Sequence, residues 1–212
     1  MSGFDVLAAL AVGYLLGGFP TAAIAARLRG KRIFEVGSGN MGAMNTARNL
    51  GFGWGLAVLV VDVSKGAAAA ALGAAMGHAL GGQGGVPLAL ASISGVAAVA
   101  GHAWSPYVRF RGGKSLATAF GASLPVYPWG GVAALVLIVA LLLIFRREPP
   151  ATRVTIVLYA PLVYLATMQA TLDQELAFTA TTAALASAVL VALKQLALWL
   201  GARRRRAESP PA

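Results

Sequence analysis

Residues 86–104 read V-P-L-A-L-A-S-I-S-G-V-A-A-V-A-G-H-A-W, a run without one acidic or basic side chain before its histidine. A helix over it measures ~28 Å at ~1.5 Å per residue, close to the ~30 Å of hydrocarbon in a bilayer. Helices and closed barrels are the only structures that satisfy every backbone N–H and C=O in that medium, so the run is read as a membrane-crossing helix. The composition agrees: the 212 residues are 58% hydrophobic and 11% charged, with a mean hydropathy of +0.74, whereas soluble domains carry about 25% charge. The fold class expected is an all-α polytopic membrane protein.

Working outward, residues 4–28 and 52–80 precede this span, the first with a kink expected at Pro20 and the second interrupted by Asp62 and Lys65. The first lacks a basic stretch before it and runs into Arg27 and Arg29, so it reads as a retained span and not a signal peptide. Residues 115–126 cover only ~18 Å as a helix and cannot cross upright. Residues 131–145, 154–172 and 176–200 complete the series, giving about seven membrane helices, one of them short. Basic residues cluster at 27–32, 109–114, 146–153 and 203–206. Their alternation along the chain places the N-terminus outside and the C-terminus in the cytoplasm. One integral domain, 1–202, is expected, followed by a basic, disordered tail at 203–212.

The net charge of +10 would suggest nucleic acid as partner of a soluble protein. Here the charges punctuate apolar runs, which makes them a topology signal, and the bilayer is the expected partner. Cysteine is absent and the two histidines, His78 and His102, are far apart. No metal site or other cofactor is expected from that set.

Two polar stretches stand out against this background. The first, 36–51, reads V-G-S-G-N-M-G-A-M-N-T-A-R-N-L-G and is read as a glycine-rich loop. Ser38, Asn40 and Asn45 supply neutral donors, Arg48 has a planar fork suited to phosphate oxygens, and Gly39 lets the backbone approach. The second, 101–118, contains Arg111-Gly112-Gly113-Lys114-Ser115 just before the next helix. Free backbone amides, a helix dipole and a lysine converging on one point suit a phosphate. The spacing is not that of a nucleotide-binding P-loop. Both stretches fall on the cytoplasmic side, so a substrate with an anionic head and an acyl chain is expected. Asp62 and Lys65, three residues apart on a helix, read most simply as a structural ion pair, with Lys65 bordering the site as the alternative. Lys194 is expected to reach toward the cytoplasmic interface, and Trp104, Tyr107 and Phe110 to form an aromatic belt there.

The pattern G-S-G-N-x-G-A-x-N-x-x-R at 37–48, D-x-x-K-G at 62–66 and G-H-x(9)-G-G-K-x-x-A-T at 101–118 resembles the PlsY-type acyl-phosphate:glycerol-3-phosphate acyltransferases of bacteria. The resemblance covers about the first 120 residues. It implies transfer of a fatty acyl group from acyl phosphate to glycerol 3-phosphate, giving lysophosphatidic acid, at the cytoplasmic face of the inner membrane by a monomer without cofactor. It further implies that Ser38, Gly39, Asn40, Asn45, Arg48, Gly112, Gly113, Lys114 and Ser115 hold substrate phosphate. Ser38, Arg48, His102 and Lys114 would be the catalytic residues, with His102 orienting the site or acting as base. Departures are Met41 and Met44 for the family's proline and threonine, Ser115 for its glycine, and Ser105 for a proline found one position later as Pro106. The family's third motif, R-H-R-E-N-I-x-R-L-x-x-G-x-E, is absent: with Gly201 on its glycine, Val191, Lys194 and Arg203 fall at its histidine, asparagine and glutamate. A competing expectation is therefore a catalytically impaired paralogue that binds phosphate-bearing lipid precursors in a regulatory role.

Overall fold

The structure is a computed structural model and describes residues 1–82, 85–145, 148–170 and 174–208, with some side chains near 142–150, 164–175 and 202–208 left out of the description. Parts of the glycine turn at 81–85, the basic loop at 146–153, the acidic turn at 173–175 and the terminal tail thus lie outside the described residues. The described chain is helical: α1 Gly3–Gly18, α2 Thr21–Leu28, α3 Ala43–Leu50, α4 Phe52–Ala79, α5 Gly85–Ala103, α6 Leu116–Ser123, α7 Pro128–Phe145, α8 Glu148–Ala170 and α9 Gln174–Glu208. Among the described residues, Gly3–Leu28, Phe52–Ala79, Gly85–Ala103, Pro128–Phe145 and Leu176–Gly201 are long and apolar enough to cross a membrane. The sequence reading of about seven includes two further segments: α6, which has 8 residues, and α8, in which Ala151–Val163 is apolar among the residues whose side chains are described.

Ser2 caps α1 through a reciprocal pair of bonds, its Oγ accepting from Asp5 N and its own N–H donating to Asp5 Oδ2 at 2.6 Å. The helix breaks where Pro20 has no N–H to give and its ring crowds the carbonyl one turn back, so α2 starts afresh at Thr21. At the break the Phe19 carbonyl accepts from Thr21 N at 3.0 Å and from Lys65 Nζ of α4 at 3.1 Å. The same ammonium lies 2.8 Å from Asp62 Oδ1, which also accepts from Thr21 Oγ1 at 3.3 Å. Asp62 and Lys65 are both buried, and they pin the broken first span to α4. Removing one partner of such a pair leaves an uncompensated charge. Lys65→Met will therefore lower unfolding stability by about 3–5 kcal/mol, read as a fall in Tm in detergent, and adding Asp62→Asn to it will recover part of the loss.

Several helices of the bundle meet through close backbone contacts at glycines. A Cβ on Gly17 would overlap the Ala98 backbone of α5, and one on Gly101 would overlap Tyr14 O of α1. Membrane helices gain little from apolar burial against one another, because lipid is equally apolar, and close small-residue packing supplies the contact instead. α4 and α6 meet in the same manner through Gly66 and Gly121.

Two stretches differ from expectation. The latter half of 36–51 is the helix α3, not a loop, so Asn45 and Arg48 stand on a helix face. Alanine, methionine and leucine favour a helix there, Thr46 Oγ1 bonds Gly42 O at 3.0 Å, and Gly51 at φ 110° ends it. At the other end α9 runs on through Glu208 where a disordered tail is expected from 203. Ala, Arg and Glu are good helix formers, and the first breaker, Pro210, comes later.

Candidate active site

The first polar stretch is shaped by one amide. Asn45 Oδ1 accepts from Ser38 N at 2.9 Å, while Asn45 Nδ2 donates to Asn40 O at 3.0 Å and Val36 O at 3.2 Å. Gly37 and Gly39 take the left-handed conformation, φ 57° and 63°, that lets the loop curl round this amide. Ser38 and Asn40 are thereby fixed to Asn45, one turn before Arg48 on α3. The Arg48 guanidinium is exposed and held near Met44, Nη2 lying 3.3 Å from Sδ.

The second stretch folds back on the end of α5. Ser105 Oγ donates to Gly18 O at 2.5 Å, and Gly113 N donates to His102 O at 3.0 Å. Arg109, Phe110 and Ser115 all have φ near 60°, a conformation costly for a residue with a side chain. At Ser115 the hydroxyl donates to Val99 O at 2.9 Å. The two stretches touch: the Arg111 guanidinium lies 4.1 Å from the Phe34 ring centre, and Gly113 is wedged between His102 Nε2 and Met41 O with no room for a Cβ.

Between them opens a cavity of about 420 Å³. Its wall combines polar residues, Ser38, Asn40, Arg48, Asp62, His102 and Lys114, with apolar ones such as Phe120, Ile138, Ile156, Tyr159 and Val191. His102 is buried, and its Nδ1 has no hydrogen-bond partner among the described residues, the nearest Asp62 oxygen being 3.7 Å away. Asn40 Oδ1 is likewise buried and unpartnered.

Of the residues singled out from sequence, Ser38, Asn40, Asn45, Arg48, His102, Lys114 and Ser115 line this cavity, and Gly39, Gly112 and Gly113 do not. The roles divide differently from the expectation. Asn45 spends its amide on the loop, Ser115 spends its proton on Val99, and the Gly113 amide is engaged by His102 O. Gly112 and Gly113 are needed for close packing, because a Cβ on Gly112 would overlap the His102 and Ala103 carbonyls. Asp62 faces the cavity and Lys65 does not. Lys194, expected at the interface, is buried, its ammonium 5.5 Å from the Trp104 ring centre. Tyr107 and Phe110 are exposed. Thr152, Thr155 and Ser187 also line the cavity and were not singled out; the spacing of the α8 pair with Ile156 and Tyr159 is the signal that marks them. α9 contributes Ser187, Ala188 and Val191, with no acid, base or amide.

If Asn45 is the loop's organiser, Asn45→Ala will leave buried carbonyls unpaired and cost about 2–3 kcal/mol. The readout is limited proteolysis, with cleavage within residues 33–42 becoming faster than in the wild type. Asn45→Asp will not rescue, since it offers no donor to the Asn40 and Val36 carbonyls.

Fold and cavity together describe a multi-pass membrane protein with one cavity lined by both cationic and aliphatic side chains. The glycerol-3-phosphate acyltransferase family profile matches residues 7–199, and the chain belongs to that family. It is 41% identical over 147 residues to a glycerol-3-phosphate acyltransferase of Desulforudis audaxviator, covering 69% of this chain and 70% of that one. It is 42% identical over 140 residues to glycerol-3-phosphate acyltransferase 1 of Deinococcus radiodurans, covering 66% and 67%. The fold is similar to crystal structures of PlsY, an integral membrane glycerol 3-phosphate acyltransferase. The glycerol 3-phosphate form superposes with a TM-score of 0.70 at 26% identity over 93% of both chains. The lysophosphatidic acid form gives 0.69 at 25% identity, again over 93% of both.

Proposed function

We propose that this protein transfers a fatty acyl group from acyl phosphate to the first hydroxyl of glycerol 3-phosphate, releasing phosphate and lysophosphatidic acid. The observation that carries the reading is the single cavity lined by Arg48, Lys114 and Ser38, by two unpartnered buried acceptors and by aliphatic side chains. Arg48 and Lys114 neutralise substrate phosphate, and Ser38 Oγ adds a neutral donor. Asn40 Oδ1 and His102 Nδ1 suit hydroxyl protons of the glycerol, which a phosphate does not offer. The glycerol hydroxyl oxygen bonds to the acyl carbon, the carbon–oxygen bond to phosphate breaks, and phosphate leaves with that electron pair. The hydroxyl proton passes by way of His102 to the departing phosphate. The mixed anhydride is already activated, so positioning and charge neutralisation carry the acceleration, and no covalent enzyme intermediate is needed.

In this reading the chain crosses the inner membrane about seven times, with its N-terminus outside, its active site facing the cytoplasm, and the monomer as the working unit. The rival reading, an impaired paralogue with a regulatory role, rests on the absent C-terminal motif; the match to the acyltransferase family over residues 7–199 favours the enzyme. Sealed vesicles of known orientation test the assignment. Lysophosphatidic acid should form when both substrates are added from the face bearing the C-terminus, and formation from the opposite face alone would contradict the topology.

A further inference from the structure

Lys194 is the one charged residue of the span Leu176–Gly201, and it does not reach the interface: it is 6% exposed. Among the described residues no carboxylate lies within ion-pair distance of it, and the buried Asp62 is engaged by Lys65. Its ammonium instead lies 5.5 Å from the centre of the Trp104 ring, within range of a cation–π contact. The charge that acts on it is another cation, Arg111 of the second polar stretch. A buried charge without a counter-ion costs stability. An aromatic face returns only part of that cost, and the repulsion from Arg111 adds to it. An ionisable group retained inside a membrane span on such terms points to function.

Trp104 stands at the corner from which the second polar stretch is built. Two residues before it is His102 of the cavity wall, and the chain beyond it folds back until Gly113 N, next to Lys114, donates to His102 O. α1 holds the backbone of this corner, Tyr14 Oη donating to Trp104 O at 2.6 Å and Ser105 Oγ to Gly18 O at 2.5 Å. The cation on the indole comes from the opposite end of the chain, α9. We propose that Lys194 is a positioning residue for acyl transfer: its ammonium, set against the Trp104 ring, holds the end of α5 so that His102 and Lys114 keep their places around the substrates. Lys194 does not line the cavity and acts through Trp104. The assignment rests on the acyl-transfer reading above.

Steady-state kinetics and melting of wild-type, Lys194→Met and Lys194→Arg protein in lipid test it, with acyl phosphate and glycerol 3-phosphate varied in turn. Methionine keeps an unbranched apolar stem and removes the charge. Its kcat should fall about 10–10²-fold, with the KM for each substrate within about twofold of wild type. Because the charge removed is buried and has no counter-ion, Lys194→Met should melt no lower than wild type. Arginine keeps the charge and stacks on aromatic faces, so Lys194→Arg should restore most of the rate. In a Trp104→Leu background Lys194→Met should cost little further rate, since the contact it acts through is already gone. An unchanged kcat in Lys194→Met would overturn the assignment, and so would a rate loss undiminished by Trp104→Leu. A lowered Tm or a failure of Lys194→Met to fold would also overturn it, by showing the lysine to be structural. Absence of turnover by the wild type would instead overturn the acyl-transfer reading itself.

Discussion

Lys114→Ala will lower phosphate release from acyl phosphate by about 10²–10³-fold, the loss typical when one preorganised charge or donor is removed from a site that stabilises developing negative charge. Lys114 is half-buried ahead of α6 and lines the same cavity as Arg48 and Ser38 of the first stretch. Both substrates are phosphates, so the lysine works on charge present in the ground state and on charge that builds as phosphate departs. The prediction has a shape as well as a size. If Lys114 acts on the transition state, kcat and kcat/KM fall together; a rise in KM alone would mean that it only holds substrate. Lys114→Arg should keep the charge and still lose activity, because a bulky planar guanidinium does not fill the position of a compact ammonium.

Gly113→Ala will do at least as much damage with one methyl group. Its Cβ would overlap His102 Nε2 on one side and the Met41 carbonyl on the other, and only the histidine can move away. Either His102 is pushed out of the cavity wall or the two polar stretches part. We expect activity reduced by more than about 10²-fold and a lower Tm, with residual protein still inserted in the membrane. The comparison that isolates the effect is Gly201→Ala, where a Cβ meets no atom within 4 Å and which should behave as wild type. An active, stable Gly113→Ala enzyme would mean that His102 and the first stretch are not held as described.

Much of this was legible in the sequence, for identifiable reasons. A chain in lipid must bury its backbone polar groups in long uncharged helices, so spans such as Gly85–Ala103 announce themselves, and the Asp62–Lys65 pair follows from three-residue spacing on a helix. Polar residues such as Ser38, Arg48, His102 and Lys114 stand out for the same reason, against alanine and leucine. What sequence could not separate was which polar atoms face the substrate and which face the protein. Asn45 looks like a ligand donor until its amide is seen spent on Ser38, Val36 and Asn40. Gly112 and Gly113 look like an amide cradle, but the space they vacate admits the end of α5. Thr152 was passed over because a lone hydroxyl near a basic loop is common; only the cavity shows it buried, unpaired and in line with Ile156 and Tyr159. The α3 helix was missed because its flanking glycines suggest a loop, while the short amphipathic run between them is stabilised by packing on α4.

The central claim is that acyl transfer between two phosphates takes place in the cavity between the polar stretches. It is tested most directly by supplying purified protein in proteoliposomes with acyl phosphate and labelled glycerol 3-phosphate, and following inorganic phosphate and labelled lysophosphatidic acid together. The account predicts equal amounts of both, dependent on both substrates, and reduced in parallel by Lys114→Ala. Phosphate release that does not need glycerol 3-phosphate, or no product above the Lys114→Ala background, would contradict it.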